Sequence, residues 1–367
     1  MTTHCRFCKT KLSLSLIDLG ETPLANSYLP PDDTFALAAE QRYPLHVMVC
    51  DGCWLVQTTE TPPADAIFSH DYAYISSWSA GWVDHARRYA EAMIGRFGLG
   101  ARSKVVEVAS NDGYLLQHFV ASGIAVLGVE PAGHAAGLAE AKGIPTQVAF
   151  FNSETAVHLR AEGHAADLMA ANNVLAHVPD IRGFARGFQV LLKPKGVATF
   201  EFPHLARLLT QVQFDTIYHE HYSYLSLTFV RRLMEEVGLQ VFDVERLPTH
   251  GGSLRVFTGH PGAHPVSPSV ADVQAEEDDL KLNRAEGYAG LSLKVDRILE
   301  DFRGFLVRTR AEGKTVVGYG AAAKGNTFLN VAGIGPQDGI AFVVDRNPSK
   351  QNKLLPGCHI PILAPEA

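Results

Sequence analysis

The chain has 367 residues, 46% hydrophobic and 19% charged, with a formal net charge of −7. That composition suits a soluble globular protein of two or three domains and excludes disordered, collagen-like and coiled-coil chains. No basic field points to nucleic acid, and no apolar run is long enough to span a membrane. The N-terminus MTTHCRFCKT lacks the apolar core of a signal peptide, so the chain reads as cytoplasmic.

Residues 1–65 are short apolar stretches broken by Pro, Gly and Asp, and read as a small loop-rich module. It holds Cys5-x-x-Cys8 and Cys50-x-x-Cys53. Each pair places two thiolates at one turn, and two such knuckles close a four-cysteine zinc site. Four ligands leave no open coordination position, so the zinc would be structural. Free core cysteines or a redox pair are the other readings, and the insert between the pairs is longer than the usual ~15–20 residues.

Residues 66–260 read as one α/β domain. YAYISSWS, from Tyr72 to Ser79, offers hydroxyls suited to sugars and phosphates, with Tyr74 a candidate substrate contact; a core-lining segment is the alternative. Then KVVEVAS, IAVLGVEP, IPTQVAF, DLMAANNVLAHV and GVATFEFP alternate with helical patterns, which predicts a mostly parallel sheet covered by helices. The first strand ends in Glu107 and a turn from Ala109 to Gly113 that carries Asn111 and Asp112 but one glycine. Pyrophosphate recognition needs G-x-G-x-x-G; this turn suits a cationic, amine-bearing ligand better. Glu130 ends the next strand, placed to accept from both ribose hydroxyls. The strand–acidic turn–helix–strand–acid unit is the pattern of class I S-adenosylmethionine methyltransferases, a cofactor-free Rossmann-like turn being the plainer reading. On the former, Glu107 orients the turn or the methionine part, Ala109, Asn111 and Gly113 line it, Asn152 lies near adenine, and Asn172 to Leu175, Asn173 among them, form the cofactor edge. His177 falls at the carboxyl end of its strand, where open sheets bind ligands.

The densest polar–aromatic cluster is IYHEHYSYLS, with Tyr218, His219, Glu220, His221, Tyr222 and Tyr224. It lacks the H-E-x-x-H spacing of a helical metal site. A metal site and a packed turn remain alternatives to acid–base chemistry, in which an imidazole removes a carbon-bound proton and tyrosines steady an enolate oxygen.

Residues 261–367 read as a C-terminal Rossmann-like α/β domain, opened by a long charged helix interrupted near Gly287–Gly290. VVGYGAAAKGNT follows a strand and opens a helix. It fits NAD, with Asp345 at the end of the next strand, or a diphosphate held by backbone N–H groups and Lys324, or a structural turn. HGGSLR, from His250 to Arg255, is a further glycine-rich turn whose arginine could serve the same anion. The closing IPILAPEA reads as a turn that ordinarily leads on to another helix and strand, so this domain reads as shortened.

Together the four-cysteine module, YAYISSWS, EVASNDGYLL, GVEP, NNVLAHV, YHEHYSYLS and YGAAAKGN resemble the deoxysugar C-methyltransferase family over nearly the whole chain. The resemblance implies an N-terminal zinc-binding domain, a central S-adenosylmethionine domain and a C-terminal Rossmann-like domain. It implies a thymidine-diphosphate-linked 4-ketosugar as substrate, bound between the last two domains. His221 is then the base at C3, supported by Tyr218 and Glu220, with His177 and Tyr72 near the reacting centre and Tyr74, Tyr222 and Lys324 on the substrate. An NAD-dependent oxidoreductase and a non-catalytic zinc-ribbon binding protein are the competing readings. No nucleic-acid or membrane partner is expected, and the oligomeric state is not readable.

Overall fold

The computed structural model describes residues 4–59, 62, 67 and 75–367. Tyr72 and Tyr74 lie outside the described residues.

Among the described residues three sheets carry the architecture. The N-terminal sheet comprises β1 (Leu14–Thr22), β2 (Tyr43–Val49) and β3 (Val56–Thr58), all antiparallel. Strands β4 (Lys104–Val108), β5 (Ala125–Val129), β6 (Thr146–Gln147), β7 (Ala166–Asn172) and β8 (Leu192–Pro203) belong to the central sheet. Next, β9 (Ser223–Tyr224) leaves that sheet and pairs antiparallel with β3, so the N-terminal sheet takes its fourth strand from the YHEHYSY segment. The chain returns to the central sheet with β10 (Gln240–Leu247) and β11 (Ser253–Gly259).

The seven central strands lie in the order β10-β11-β8-β7-β4-β5-β6. β4 pairs parallel with both β5 and β7, and β7 with β8, whereas β11 runs antiparallel to its neighbours β8 and β10. The chain leaves β4 toward β5 and β6 and comes back on the other side at β7. That reversal opens a crevice at the carboxyl ends of β4 and β7. Val105, Val106, Leu168, Met169, Ala198 and Phe200 are wholly buried, as strands covered on both faces require.

The predicted long C-terminal helix is two helices, Pro268–Asp279 and Leu291–Ala311, separated by a short 3₁₀ turn. Gly290, with φ +81°, takes the left-handed conformation at the break. A third sheet follows, with β12 (Val316–Tyr319), β13 (Ile340–Val344), β14 (Lys353–Leu354) and β15 (Pro361–Leu363) in the order β12-β13-β15-β14. Of the segment read as a closing turn, Pro361–Leu363 is strand, pairing parallel with β13, its Ile362 fully buried, and the turn follows it. No helix among the described residues is long and apolar enough to cross a membrane.

Candidate active site and zinc centre

In the N-terminal module the Sγ atoms of Cys5, Cys8, Cys50 and Cys53 all lie within 4.8 Å of one another. Cys5 and Cys53 approach to 3.6 Å, and Cys8 and Cys50 to 3.4 Å. A tetrahedron of Zn–S bonds of about 2.3 Å has sulfur–sulfur edges of about 3.8 Å, so the donor set fits zinc. Each contact joins one C-x-x-C pair to the other, and three of the four cysteines are buried. This closes a structural site without an open position. The YHEHYSY segment does not form a second centre. His219 turns to the Tyr43 carbonyl, His221 to the Thr216 carbonyl and Glu220 to Asn26.

A cavity of about 580 Å³ fills the crevice at the strand ends and continues to the C-terminal domain. Ala109, Asn111, Glu130, Asn173, His177, Tyr218, Glu220, His221 and Lys324 all line it. The turn after β4 is shaped by Ala109 (φ +55°) and Asn111 (φ +49°), both left-handed without being glycine. Its geometry is held from outside: Ala109 N–H donates to the Val129 carbonyl at 2.7 Å, and Asn111 N–H to Glu130 Oε2 at 2.9 Å. Glu130 Oε1 accepts from Ala132 N–H at 2.8 Å. Each Glu130 oxygen keeps a second lone pair for a ribose hydroxyl. Burial pushes the Glu130 carboxyl up, opposed by the Ala132 and Asn111 N–H groups.

S-adenosylmethionine fits these residues. Asn172 Oδ1 and Asn173 Oδ1 are buried acceptors with no protein partner, as a cationic amine needs. Ala149, Phe150 and Phe151 add apolar surface to the lining, which could receive a purine.

Several expected contacts fall elsewhere. Asn152 caps the helix Ser153–Ala161, its side chain accepting from Thr155 N–H, and is exposed outside the cavity lining; the wall near it is Ala149–Phe151. Gly113 also lies outside the lining: a Cβ there would strike the Ile144 side chain, so it packs the turn from behind. Glu107 is fully buried beneath the turn, where desolvation pushes its carboxyl well up. Asp112 does not face a cationic ligand, because Lys142 Nζ holds its Oδ2 at 2.7 Å and the Ser77 hydroxyl donates to the same oxygen. Tyr222 points away, its hydroxyl donating to the Pro62 carbonyl at 2.9 Å. Arg255 is buried in ion pairs with Glu201 at 2.8 Å and Glu245 at 3.0 Å and is not available to an anion.

His221 Nδ1 donates to the Thr216 carbonyl at 2.7 Å. A carbonyl can only accept, so the ring proton sits on Nδ1 and Nε2 carries the lone pair. The Tyr218 ring lies over His221 with centroids 4.1 Å apart, and His177 meets it at 4.7 Å. Asn26 Nδ2 donates to Glu220 Oε1 at 2.5 Å. Burial holds the His221 imidazole well below its usual value, with His177 adding to the effect.

The C-terminal turn after β12 repeats the closure of the first: Gly320 N–H donates to the Val344 carbonyl and Ala321 N–H to Asp345 Oδ2, each at 2.7 Å. Sequence reasoning missed Lys350, which lines the cavity with Nζ 2.9 Å from the Ala321 carbonyl, and His250 (φ +52°), whose Nε2 lies 3.2 Å from Asn173 Nδ2. The H-G-G run was the signal for His250; nothing local marks Lys350.

Comparison with known proteins agrees with this layout. Residues 5–68 match a zinc binding domain, 82–244 a methyltransferase domain and 248–367 a C-methyltransferase C-terminal domain. The C-methyltransferase NovU of Streptomyces niveus is 38% identical over 99% of this chain and 86% of its own. Among solved structures, a methyltransferase from Anabaena variabilis is 12% identical over 55% of this chain and 97% of its own, with a TM-score of 0.43. The magnesium protoporphyrin IX methyltransferase of Synechocystis with bound S-adenosylhomocysteine is 13% identical over 49% and 84%, with a TM-score of 0.40. The chain belongs to the C-methyltransferase family, as an S-adenosylmethionine-dependent enzyme with a structural zinc site in its N-terminal module.

Proposed function

We propose that the enzyme methylates C3 of a thymidine-diphosphate-linked 4-keto deoxysugar, with His221 as the base. The observation that carries this reading is that His221, whose Nε2 keeps its lone pair because Nδ1 donates to Thr216, lines the same cavity as Glu130. His221 takes the C3 proton, and the electron pair moves into an enolate with its charge on the C4 oxygen. Tyr218 borders that position as a candidate hydrogen-bond partner of the oxyanion, while the neutral His177 packs against the base. Glu220, held by Asn26, fixes the segment. When bound, S-adenosylmethionine would supply an electrophilic methyl group to the enolate carbon, its sulfur keeping the electron pair of the sulfur–carbon bond. A carbon acid beside a ketone is acidic enough for a protein base to suffice without a metal. Holding the enolate carbon about 3–3.5 Å from the methyl supplies much of the remaining acceleration.

Lys324 and the turn it follows face the cavity from the C-terminal domain and suit a diphosphate. That handle gives binding energy remote from the reacting carbon. The test is incubation with methyl-labelled S-adenosylmethionine and a panel of nucleotide-linked ketosugars, read by mass spectrometry. The expected product is one sugar carrying one labelled methyl on carbon. Labelling on oxygen or nitrogen, or no sugar labelled across the panel, would overturn the reading.

A further inference from the structure

We propose that Arg6 is a positioning residue that carries the rigidity of the zinc site to the backbone holding His221. This rests on His221 as the base. Arg6 stands between Cys5 and Cys8, so zinc ligation on either side fixes its backbone. Its own N–H donates to Gln57 Oε1 at 2.9 Å, while Gln57 Nε2 donates to Cys5 Sγ at 3.2 Å. The side chain then leaves the metal site. Nη1 donates to the Tyr222 carbonyl at 2.5 Å, and Nη2 to the Thr58 carbonyl at 2.7 Å. The guanidinium also lies over the Tyr222 ring, 5.1 Å from its centroid.

The position of these bonds matters. Tyr222 directly follows His221, and its carbonyl also accepts from Thr58 N–H at 3.2 Å. On the other side, His221 is held by Nδ1 to the Thr216 carbonyl and by its N–H to the Tyr218 carbonyl at 2.9 Å. Arg6 is thus the clamp on the carboxyl side of the base. The strand that continues from it, β9, has two residues and pairs only Val56 with Tyr224 and Gln57 with Ser223. So short a ladder is marginal alone. A charged fork donating to two carbonyls at once supplies the missing restraint, and a lysine, with one point charge, can replace only part of it.

The test compares wild type, Arg6→Met, Arg6→Lys and His221→Asn. Zinc content, S-adenosylmethionine affinity, kcat, KM and amide hydrogen exchange are measured on each. Arg6→Met should keep its zinc and cofactor affinity, yet exchange about tenfold faster at His221–Tyr224 and lose about tenfold in kcat with little change in KM, Arg6→Lys recovering part of both. Unchanged exchange at His221–Tyr224 in zinc-loaded Arg6→Met would overturn the proposal, as would faster exchange spread equally to the turn at Ala109–Gly113. If Arg6→Met does not fold, Arg6→Lys decides by the same exchange criterion. Full turnover in His221→Asn would remove the base assignment while leaving the exchange result to judge Arg6.

Discussion

The imidazoles of His177 and His221 meet edge to face, centroids 4.7 Å apart with planes crossing at 74°, so neither ring can gain charge without opposing the other. Burial brings His177 down to about 4, although the Glu220 carbonyl pulls the other way. Burial first, and His177 second, hold His221 well below its usual 6.5. A base must be neutral to act, and a depressed pKa keeps it neutral to lower pH. Activity should therefore persist as pH falls through 6.5, with the acidic limb of the rate profile below that value. A single-turnover pH profile checks this; a limb at or above 6.5 contradicts it.

His221→Asn keeps a polar side chain of similar reach but removes the base. The expected loss in kcat is about 10²–10⁴-fold. Affinity for S-adenosylmethionine, measured by titration calorimetry, should be unchanged, because the hydrogen bonds that hold Glu130 come from Asn111 and Ala132 and do not involve His221.

Glu130→Ala should have the opposite signature. It deprives Asn111 N–H and Ala132 N–H of their acceptor and removes the expected ribose partner. Cofactor Kd should rise about tenfold to a hundredfold. Lys324→Met should leave that Kd alone and raise KM for a diphosphate-linked substrate. A rise in cofactor Kd for Lys324→Met would argue against the division of the cavity.

Cys50→Ser breaks the four-sulfur shell. The variant should lose the one zinc expected per chain, measured by elemental mass spectrometry, and melt at lower temperature, since binding energy at a structural site is folding energy. Full stability in a zinc-free parent protein would refute the role.

Gly113→Ala tests the turn itself. Gly113 sits at φ +76°, and an added Cβ would collide with the Ile144 side chain. Left-handed strain plus overpacking should destabilise by about 1–3 kcal/mol, seen as a lower melting temperature with or without cofactor.

Much of this was legible in one dimension. C-x-x-C spacing, strands ending in Glu107 and Glu130, and the crowding of Tyr218, Glu220 and His221 are local patterns, each tied to one turn or strand end. Asn152 shows where local reading stops: the same amide that would suit an adenine also caps a helix, and the helix Ser153–Ala161 takes it. Arg255 shows the same limit, since a cation beside two glycines looks available until Glu201 and Glu245 are folded against it.

By itself the sequence determined the central alternation of strands and helices and the four clustered cysteines, and it named candidates that line the cavity, because periodicity, short-range spacing and turn chemistry are properties of neighbouring residues. Only the tertiary structure decided which polar groups stay free. It spent Asp112 on Lys142 and Tyr222 on Pro62, left His221 Nε2 its lone pair, and brought Lys350 and His250 to the cavity. The physical reason is that a buried polar group must find a partner, and the partner that satisfies it is usually far away in the chain.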